Sequence, residues 1–127
     1  MTDETSLYDA AGGMPFFETL VDRFYAGVSG DPILLAVYPD PGDFAGARHR
    51  LTLFLAQYWG GPRMYDSERG HPRLRMRHAP FAIGPIERDA WLAHMNEAIS
   101  AVDPPAQVAA RLRAYVEMAA EAMRNRD

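Results

Sequence analysis

The residues with the clearest chemical potential lie in one short run, from Pro72 to Phe81, which contains a single histidine, His78. In a helix, Leu74 lies one turn before this histidine and Phe81 about one turn after it, so the imidazole stands on an otherwise apolar face. A neutral imidazole in such surroundings can bind the iron of a haem. A lone histidine on an apolar face is nevertheless more often a hydrogen-bonded core residue than a metal ligand, and both interpretations stay open at this point.

Three other segments carry aromatic side chains that can donate a hydrogen bond, namely Tyr25, Tyr38 and Trp91. Each of them alone is more often a core-filling residue. Together with His78 they favour a ligand site, because dioxygen held by iron carries partial negative charge and donors aimed at it retain it. Two hydrogen bonds of roughly 1 to 1.5 kcal/mol each would slow its release by about one to two orders of magnitude.

The remaining histidines are weaker candidates for a metal ligand. His49 lies two positions from Ala47, whose side chain we expect to point inward, so His49 points about 200° away and is expected on the surface. His94 lies beside Trp91 on the predicted core stripe and can approach the core, although Trp91 defines that stripe better. His71 precedes a proline in a loop, where it contacts either the cofactor edge or solvent.

Apolar residues recur every three or four positions in the longer segments, which predicts amphipathic helices. No stretch alternates with period two for long enough to form a strand, so we predict an all-α fold. The predicted helices are a short one capped by Ser6 and ended by Gly12-Gly13, one from Pro15 to Gly30, a short one from Asp31 to Val37 ended by Pro39 and Pro41, one from about Phe44 to Trp59 with Ala47, Leu51, Phe54, Leu55 and Tyr58 on its inward face, the short helix bearing His78, a long one after Gly84-Pro85, and a last one after the cap signal Asp103-Pro104.

The connection from Gly60 to Pro72 is predicted to be a loop, and its length suggests that it covers something. Arginines gather in and just after it, and this cluster comprises Arg63, Arg69, Arg73, Arg75 and Arg77. Arginine can grip phosphate or carboxylate bidentately, whereas a solvated surface with scattered ion pairs explains the same cluster equally well. In a helix Arg75 cannot share a face with both Arg73 and Arg77, which breaks up any continuous basic stripe.

Composition limits the classes of function. The 127 residues fit one domain, residues 1–127, with a net charge of −4 that argues against nucleic acid as a partner. The absence of cysteine excludes disulfides, thiolate chemistry and iron–sulfur clusters. No apolar run of about 18 residues is present, so we expect no membrane span. The acidic start, Met1 to Thr5, lacks the features of a signal peptide, and we expect a cytoplasmic protein.

Six motifs are distributed along the chain: Leu7-Tyr8-Asp9-Ala10-Ala11-Gly12-Gly13, Arg23-Phe24-Tyr25, Val37-Tyr38-Pro39, Gln57-Tyr58-Trp59-Gly60-Gly61-Pro62, Gly70 to Phe81, and Glu87-Arg88-Asp89-Ala90-Trp91-Leu92. Together they resemble those of the truncated haemoglobins of the bacterial group II, or O-type, class, and the resemblance covers nearly the whole chain. The segment Asp40-Pro41-Gly42-Asp43 departs from that pattern by an apparent extra residue.

The resemblance implies a two-over-two helical sandwich around haem b, with His78 as the proximal ligand of a five-coordinate iron. It implies that Tyr25, Tyr38 and Trp91 form the distal hydrogen-bonding set and that Ala47 occupies the distal gate. It further implies that Leu51 and Phe54 pack over the distal haem face, that Leu74 and Phe81 pack beneath it, and that Arg50 binds a propionate, with Tyr65 and Arg77 as further candidates for that role.

Two functions are consistent with this reading. The first is tight, reversible binding of dioxygen and other diatomic gases, for which simple transport is less natural because tight retention opposes release. The second is enzymatic: oxygen-dependent conversion of nitric oxide to nitrate, or peroxide-driven oxidation, with an electron-donating reductase as partner. A sensor is disfavoured, since no second domain is attached to receive a signal. Apolar positions on the terminal helices are compatible with a homodimer, although no residue spacing argues for one.

Overall fold

The computed structural model describes residues 6–38 and 44–127, and all regular structure in these ranges is helical, which confirms the all-α prediction. No helix in this part of the chain is long and apolar enough to cross a membrane. The helices of the described ranges are α1 (Leu7–Ala11), α2 (Met14–Val28), α3 (Pro32–Leu35), α4 (Ala45–Tyr58), α5 (Met64–Arg69), α6 (Leu74–His78), α7 (Pro85–Val102) and α8 (Ala106–Ala122).

The four long helices form two pairs. Helix α2 packs on α4, α7 packs on α8, and the two pairs meet mainly where α2 crosses α7. The side chains at these contacts are fully buried, among them Phe17 and Phe24 on α2, Met95 and Ile99 on α7, and Leu112 on α8. Burying each such side chain contributes about 1.5–3 kcal/mol, so the amphipathic stripes of the sequence account for the frame of the fold.

The short helices begin at the predicted caps. The Ser6 hydroxyl accepts a hydrogen bond from the backbone N–H of Asp9 at 3.1 Å, and α1 ends at Gly12, whose φ of 119° suits glycine. The Asp31 carboxylate accepts from the N–H of Ile33 at 2.9 Å and so starts α3. Both starts confirm the sequence prediction.

Three details of the predicted elements are wrong. The connection between Gly60 and Pro72 contains helix α5, which the sequence did not indicate because its six residues bury only Tyr65. Tyr58, expected on the inward face of α4, is 49% exposed. Asp103 ends α7 with a left-handed φ of 47° instead of capping α8, which begins at Ala106.

The third helix stops at Leu35, before the predicted Val37. The prolines expected to end it, Pro39 and Pro41, and the apparent extra residue in the segment 40–43 lie outside the described residues.

Helix α1 docks on the end of α4 through a close approach at Gly61. The Tyr8 N–H donates to the Trp59 carbonyl at 2.9 Å, which brings the Tyr8 ring against the backbone of Gly61. A Cβ atom at Gly61 would lie 2.5 Å from the ring and 2.8 Å from the Ala56 carbonyl oxygen. Only glycine fits there without moving α1.

We therefore predict that Gly61→Ala lowers the free energy of unfolding by about 1–3 kcal/mol, because the methyl group overpacks this contact. Urea unfolding followed by circular dichroism measures the change. Gly30→Ala is the matched control, since its Cβ would meet no atom closer than 3.9 Å. Equal stability of the two variants would contradict the assignment of Gly61 to a close-packed contact.

Candidate functional site

A cavity of about 590 Å³ lies among the helices, within the range of roughly 300–1,000 Å³ that cofactor sites usually occupy. The structure brings all twelve residues that the sequence analysis singled out for a cofactor into the lining of this cavity. They are Tyr25, Tyr38, Ala47, Arg50, Leu51, Phe54, Tyr65, Leu74, Arg77, His78, Phe81 and Trp91.

His78 is the one histidine among the described lining residues, and its ring is oriented by a local hydrogen bond. Its Nδ1 lies 2.6 Å from the carbonyl oxygen of Leu74, one turn earlier in α6. A carbonyl oxygen only accepts, so Nδ1 carries the proton and donates it. In the neutral ring Nε2 then keeps its lone pair, which is the form of imidazole that binds a metal.

This geometry bears on the two interpretations that the sequence left open. A histidine with a purely structural role in a core makes hydrogen bonds within the protein through both ring nitrogens. In the described ranges only Nδ1 of His78 makes a hydrogen bond. The side chain is half-buried at the cavity wall beside Leu74 and Phe81. The arrangement therefore favours a metal-binding histidine, whose Nε2 is available to a metal in the cavity.

The three polar aromatics predicted to donate hydrogen bonds, Tyr25 on α2, Tyr38 after α3 and Trp91 on α7, meet in one cluster. The ring centroids of Tyr25 and Tyr38 are 5.9 Å apart, and the ring of Phe44 lies 5.3 Å from the first and 5.4 Å from the second. Trp91 reaches the same region from α7, with its ring 5.4 Å from that of Phe24. The long helices α2 and α7 thus present the donors to one part of the cavity.

Burial is the main cause that raises the pKa of both tyrosines, and that of Tyr38 lies well above its usual value. Hydrogen bonds oppose or add to this effect: Tyr38 lowers the pKa of Tyr25, as Arg50 and Arg48 also do more weakly, and Trp91 lowers the pKa of Tyr38. Both hydroxyls therefore keep their protons at neutral pH and act as donors.

The direction of these hydrogen bonds follows from the groups involved. The indole N–H of Trp91 can only donate, so the Tyr38 oxygen accepts from it. A hydrogen bond with Tyr38 lowers the pKa of Tyr25, so the two hydroxyls are in contact. A hydroxyl oxygen has two lone pairs and one proton, so Tyr25 can accept from Tyr38 and still donate its own proton to an acceptor in the cavity.

Four arginines line the cavity: Arg88, which forms ion pairs with Asp89 and Glu121, and Arg50, Arg69 and Arg77. Arg77 is fixed by the backbone, since its Nε donates to the Pro72 carbonyl at 2.8 Å and one terminal nitrogen donates to the Arg69 carbonyl at 3.1 Å. Arg50 and Arg69 are exposed, which places charge at the open edge of the cavity. The arrangement suits carboxylates on a bound molecule.

The arginine cluster of the sequence is divided by the structure. Arg69 and Arg77 line the cavity, whereas Arg63 forms an ion pair with Asp66. Arg73 and Arg75 are exposed, whereas Arg77 is half-buried.

The other histidines are engaged elsewhere. His49 is exposed, as expected, with Nε2 2.9 Å from a carboxylate oxygen of Glu68. His71 faces solvent and accepts at Nδ1 from the N–H of Arg73 at 3.2 Å. His94 turns away from the cavity, and its Nε2 lies 2.7 Å from a carboxylate oxygen of Asp31.

Several lining residues were not among the twelve that the sequence analysis assigned to a cofactor, although Arg69 was named there as part of the arginine cluster. Phe44 packs between Tyr25 and Tyr38, but an aromatic ring without a polar atom gives no chemical signal in the sequence. Arg69 belongs to the helix that was predicted as loop. Tyr115 comes from α8; burial and the neighbouring Tyr58 raise its pKa to about 12. Its position in the repeat of α8 indicated only core packing.

A haem fits this residue set. The group needs an apolar slot, an imidazole nitrogen free to bind iron, and cations for two carboxylates. The cavity offers apolar walls from α4, α6 and α8, the free Nε2 of His78, and the guanidinium groups of Arg50, Arg69 and Arg77. These are features of the lining itself, independent of any likeness to other proteins.

Comparison with known proteins gives consistent matches. The family model described as Bacterial-like globin matches residues 6–125. Group 2 truncated hemoglobin YjbI of Bacillus subtilis (strain 168) is 37% identical over 118 residues, which cover 93% of this chain and 87% of that protein.

Solved structures agree over nearly the full length. The crystal structure of the haemoglobin from the thermophilic phototrophic bacterium Chloroflexus aurantiacus matches with a TM-score of 0.93 at 48% identity, covering 97% of this chain and 100% of that one. The X-ray structure of a truncated oxygen-avid haemoglobin from Bacillus subtilis matches with a TM-score of 0.89 at 36% identity, covering 95% and 100%.

The contact between His94 and Asp31 ties α7 to the start of α3 and yields a prediction about acid stability. The hydrogen bond from His94 is the main cause that lowers the pKa of Asp31. A carboxyl whose pKa is depressed by folding stabilises the protein above its unfolded pKa of about 3.9, and this stabilisation is lost as the pH falls through the folded value. Asn at this position still caps Ile33 but lacks the charge.

We expect Asp31→Asn to be less stable than the parent chain at pH 7, with a difference that shrinks as the pH falls below about 4. Urea unfolding over a series of pH values measures it. Asp22→Asn is the matched control, because the exposed Asp22 meets Arg48 only at 3.9 Å and should change little. A difference between Asp31→Asn and the parent that does not vary with pH would exclude the charged contact as its source.

Proposed function

We propose, on the premise that this chain belongs to the group II truncated haemoglobins of the bacterial-like globin family, that it holds haem b on His78 and binds dioxygen and other diatomic ligands tightly. The pairs α2–α4 and α7–α8 are the two-over-two arrangement of that fold. In this proposal the whole chain, residues 1–127, is one globin domain. A truncated haemoglobin is a globin that holds haem and binds diatomic ligands. For this chain we propose, in addition, the identity of the proximal ligand, a five-coordinate iron and tight binding.

The observation that carries the proposal is the hydrogen bond between His78 Nδ1 and the Leu74 carbonyl, at 2.6 Å, within a cavity with apolar walls. It commits the imidazole to one tautomer and directs a basic nitrogen to the cavity. His78 Nε2 would hold the haem iron, and the haem would supply the iron to which a small gas binds. In the described part of the lining no second histidine competes for the other side.

The side chains of the lining divide the remaining tasks. Trp91 and Tyr38 orient the Tyr25 hydroxyl, which donates to the bound ligand. Leu51 and Phe54 exclude water beside the ligand, and Ala47 leaves room for its entry. Arg50 and Arg77, with Arg69 and Tyr65 nearby in the lining, provide partners for the propionates.

The relative from Bacillus subtilis whose structure is described as oxygen-avid supports the choice of dioxygen as ligand. The same preference follows from the donors of this chain. A hydroxyl proton that no protein group uses favours a ligand that gains negative charge on binding, as dioxygen does. A ligand that stays nearly neutral gains less from the same donor.

We predict that His78→Ala abolishes stable haem binding, because no other imidazole lines the described part of the cavity. The chain is purified, mixed with hemin and measured by its Soret absorption in the ferric and the ferrous carbon monoxide forms. His49→Ala is the matched control, since that histidine is exposed and pairs with Glu68 outside the cavity. Full haem content and an unchanged spectrum in His78→Ala would reject the proposed ligand, and a parent chain that takes up no haem would reject the function.

We predict that Tyr25→Phe retains haem but releases dioxygen about tenfold faster, since one hydrogen bond of roughly 1–1.5 kcal/mol is lost. Stopped-flow measurement of dioxygen dissociation gives the rate. Tyr8→Phe removes a tyrosine hydroxyl that does not line the cavity and should leave the rate unchanged. The same rate in Tyr25→Phe and Tyr8→Phe would show that the Tyr25 hydroxyl is not the donor.

A further inference from the structure

Asn125, just beyond the end of α8, makes three side-chain hydrogen bonds to the backbone that follows His78. Its amide nitrogen donates to the His78 carbonyl at 3.3 Å and to the Phe81 carbonyl at 2.8 Å. Its amide oxygen accepts from the Ile83 N–H at 2.9 Å. The backbone N–H groups of Asn125 and Arg126 both donate to the Ile83 carbonyl, at 2.9 and 3.1 Å. One side chain therefore fastens the whole segment between His78 and Ile83.

The segment requires such an anchor. Helix α6 has five residues, none of them buried, and an isolated helix of this length is not stable in water. The hydrogen bond after its end, from the Ala79 N–H to the Met76 carbonyl, is long at 3.4 Å. On the N-terminal side Arg77 ties the helix to Pro72 and Arg69, while on the C-terminal side the described contacts run to Asn125.

We infer that Asn125 is a positioning residue for His78: by holding the His78, Phe81 and Ile83 backbone it fixes where the imidazole stands at the cavity wall. This inference rests on the proposed function for its effect on haem. The carboxy-terminal segment then influences the rate of haem loss and the strength of the bond between iron and His78, although Asn125 does not line the cavity.

The residue type fits the task. One planar group contacts two carbonyl oxygens and one N–H, and an asparagine amide offers two N–H donors and an acceptor. The His78 carbonyl also accepts from the Phe81 N–H at 3.0 Å. Aspartate keeps the acceptor for Ile83 but loses both donors, whereas alanine loses all three contacts. Asn125 follows closely on residues that line the cavity, namely Ala119 on α8 and Met123 just after it.

The experiment compares Asn125→Ala and Asn125→Asp with the parent chain. Asn96→Ala is the matched control, because Asn96 is a half-buried asparagine on α7 that accepts from Arg113 at 3.1 Å and does not line the cavity. Three quantities are measured: the rate of haem loss to an excess of a haem-binding acceptor protein, the iron–histidine stretching band of the ferrous form by resonance Raman, and amide hydrogen exchange of the haem-free chain.

We expect Asn125→Ala to lose haem about tenfold faster, to shift the iron–histidine band and to speed exchange at Ile83. Asn125→Asp should match it in haem loss and in the band, since both lose the bond to the His78 carbonyl, but should keep the Ile83 amide protected. Asn96→Ala should match the parent in all three. A loss of stability alone would alter haem loss and exchange in Asn96→Ala as well, and would not shift the band.

An unchanged band and rate of haem loss in both Asn125 variants, with haem bound normally by the parent, would overturn the inference and leave the proposed function intact. If the parent chain bound no haem, the proposed function would fail. Hydrogen exchange in the haem-free chain would then still test whether Asn125 holds the backbone after His78. Faster exchange at Ile83 in Asn125→Ala would support it, and equal exchange in Asn125→Ala and the parent would overturn it.

Discussion

The hydrogen bond from His78 Nδ1 to the Leu74 carbonyl is the contact on which the chemistry of the cavity depends. It uses the one proton of the neutral ring, leaves Nε2 basic, and fixes the rotation of the ring relative to α6. If the proton sat on Nε2, the same cavity would present a donor in place of a ligand. Because the bond spans a single helical turn, the spacing of the two residues is sufficient to form it once α6 is in place.

The long helices form most of the cavity wall, whereas the short helices α3 and α6 depend on contacts with distant side chains. Helices α2, α4, α7 and α8 each place buried side chains in the shared core, and this hydrophobic burial stabilises them. Helices α3 and α6 have four and five residues and depend on side chains from elsewhere in the chain. His94 holds the start of α3 through its hydrogen bond with Asp31, and Asn125 holds the segment after α6 through its hydrogen bond to the His78 carbonyl. Segments of this kind are the least stable parts of a fold, so their anchors decide the geometry of the site.

Much of the fold and of the candidate site could be predicted from the sequence, because helical periodicity is a local property and because donor and ligand residues have distinctive chemistry. All twelve predicted residues line the cavity, although their roles toward haem stay predictions. Helix α5 could not be predicted, since it depends on Gln57 holding Asp66 through two hydrogen bonds and has no apolar repeat of its own. Asn125 could not be predicted either, because its partners lie more than forty residues away in the chain.

The distal side of the cavity follows from the cost of burying hydroxyl groups. A buried hydroxyl without a partner is unfavourable, so the hydroxyls of Tyr25 and Tyr38 must be satisfied within the cluster or by a ligand. Trp91 can only donate, so the Tyr38 oxygen accepts from it, and the Tyr38 proton is available to the Tyr25 oxygen. When Tyr38 donates to Tyr25, the Tyr25 proton has no acceptor among these three side chains and is available to a ligand. In the proposed function this arrangement favours an electron-rich ligand, and the Trp91 indole contributes to the preference through the hydrogen bonds that link it to Tyr38 and Tyr25.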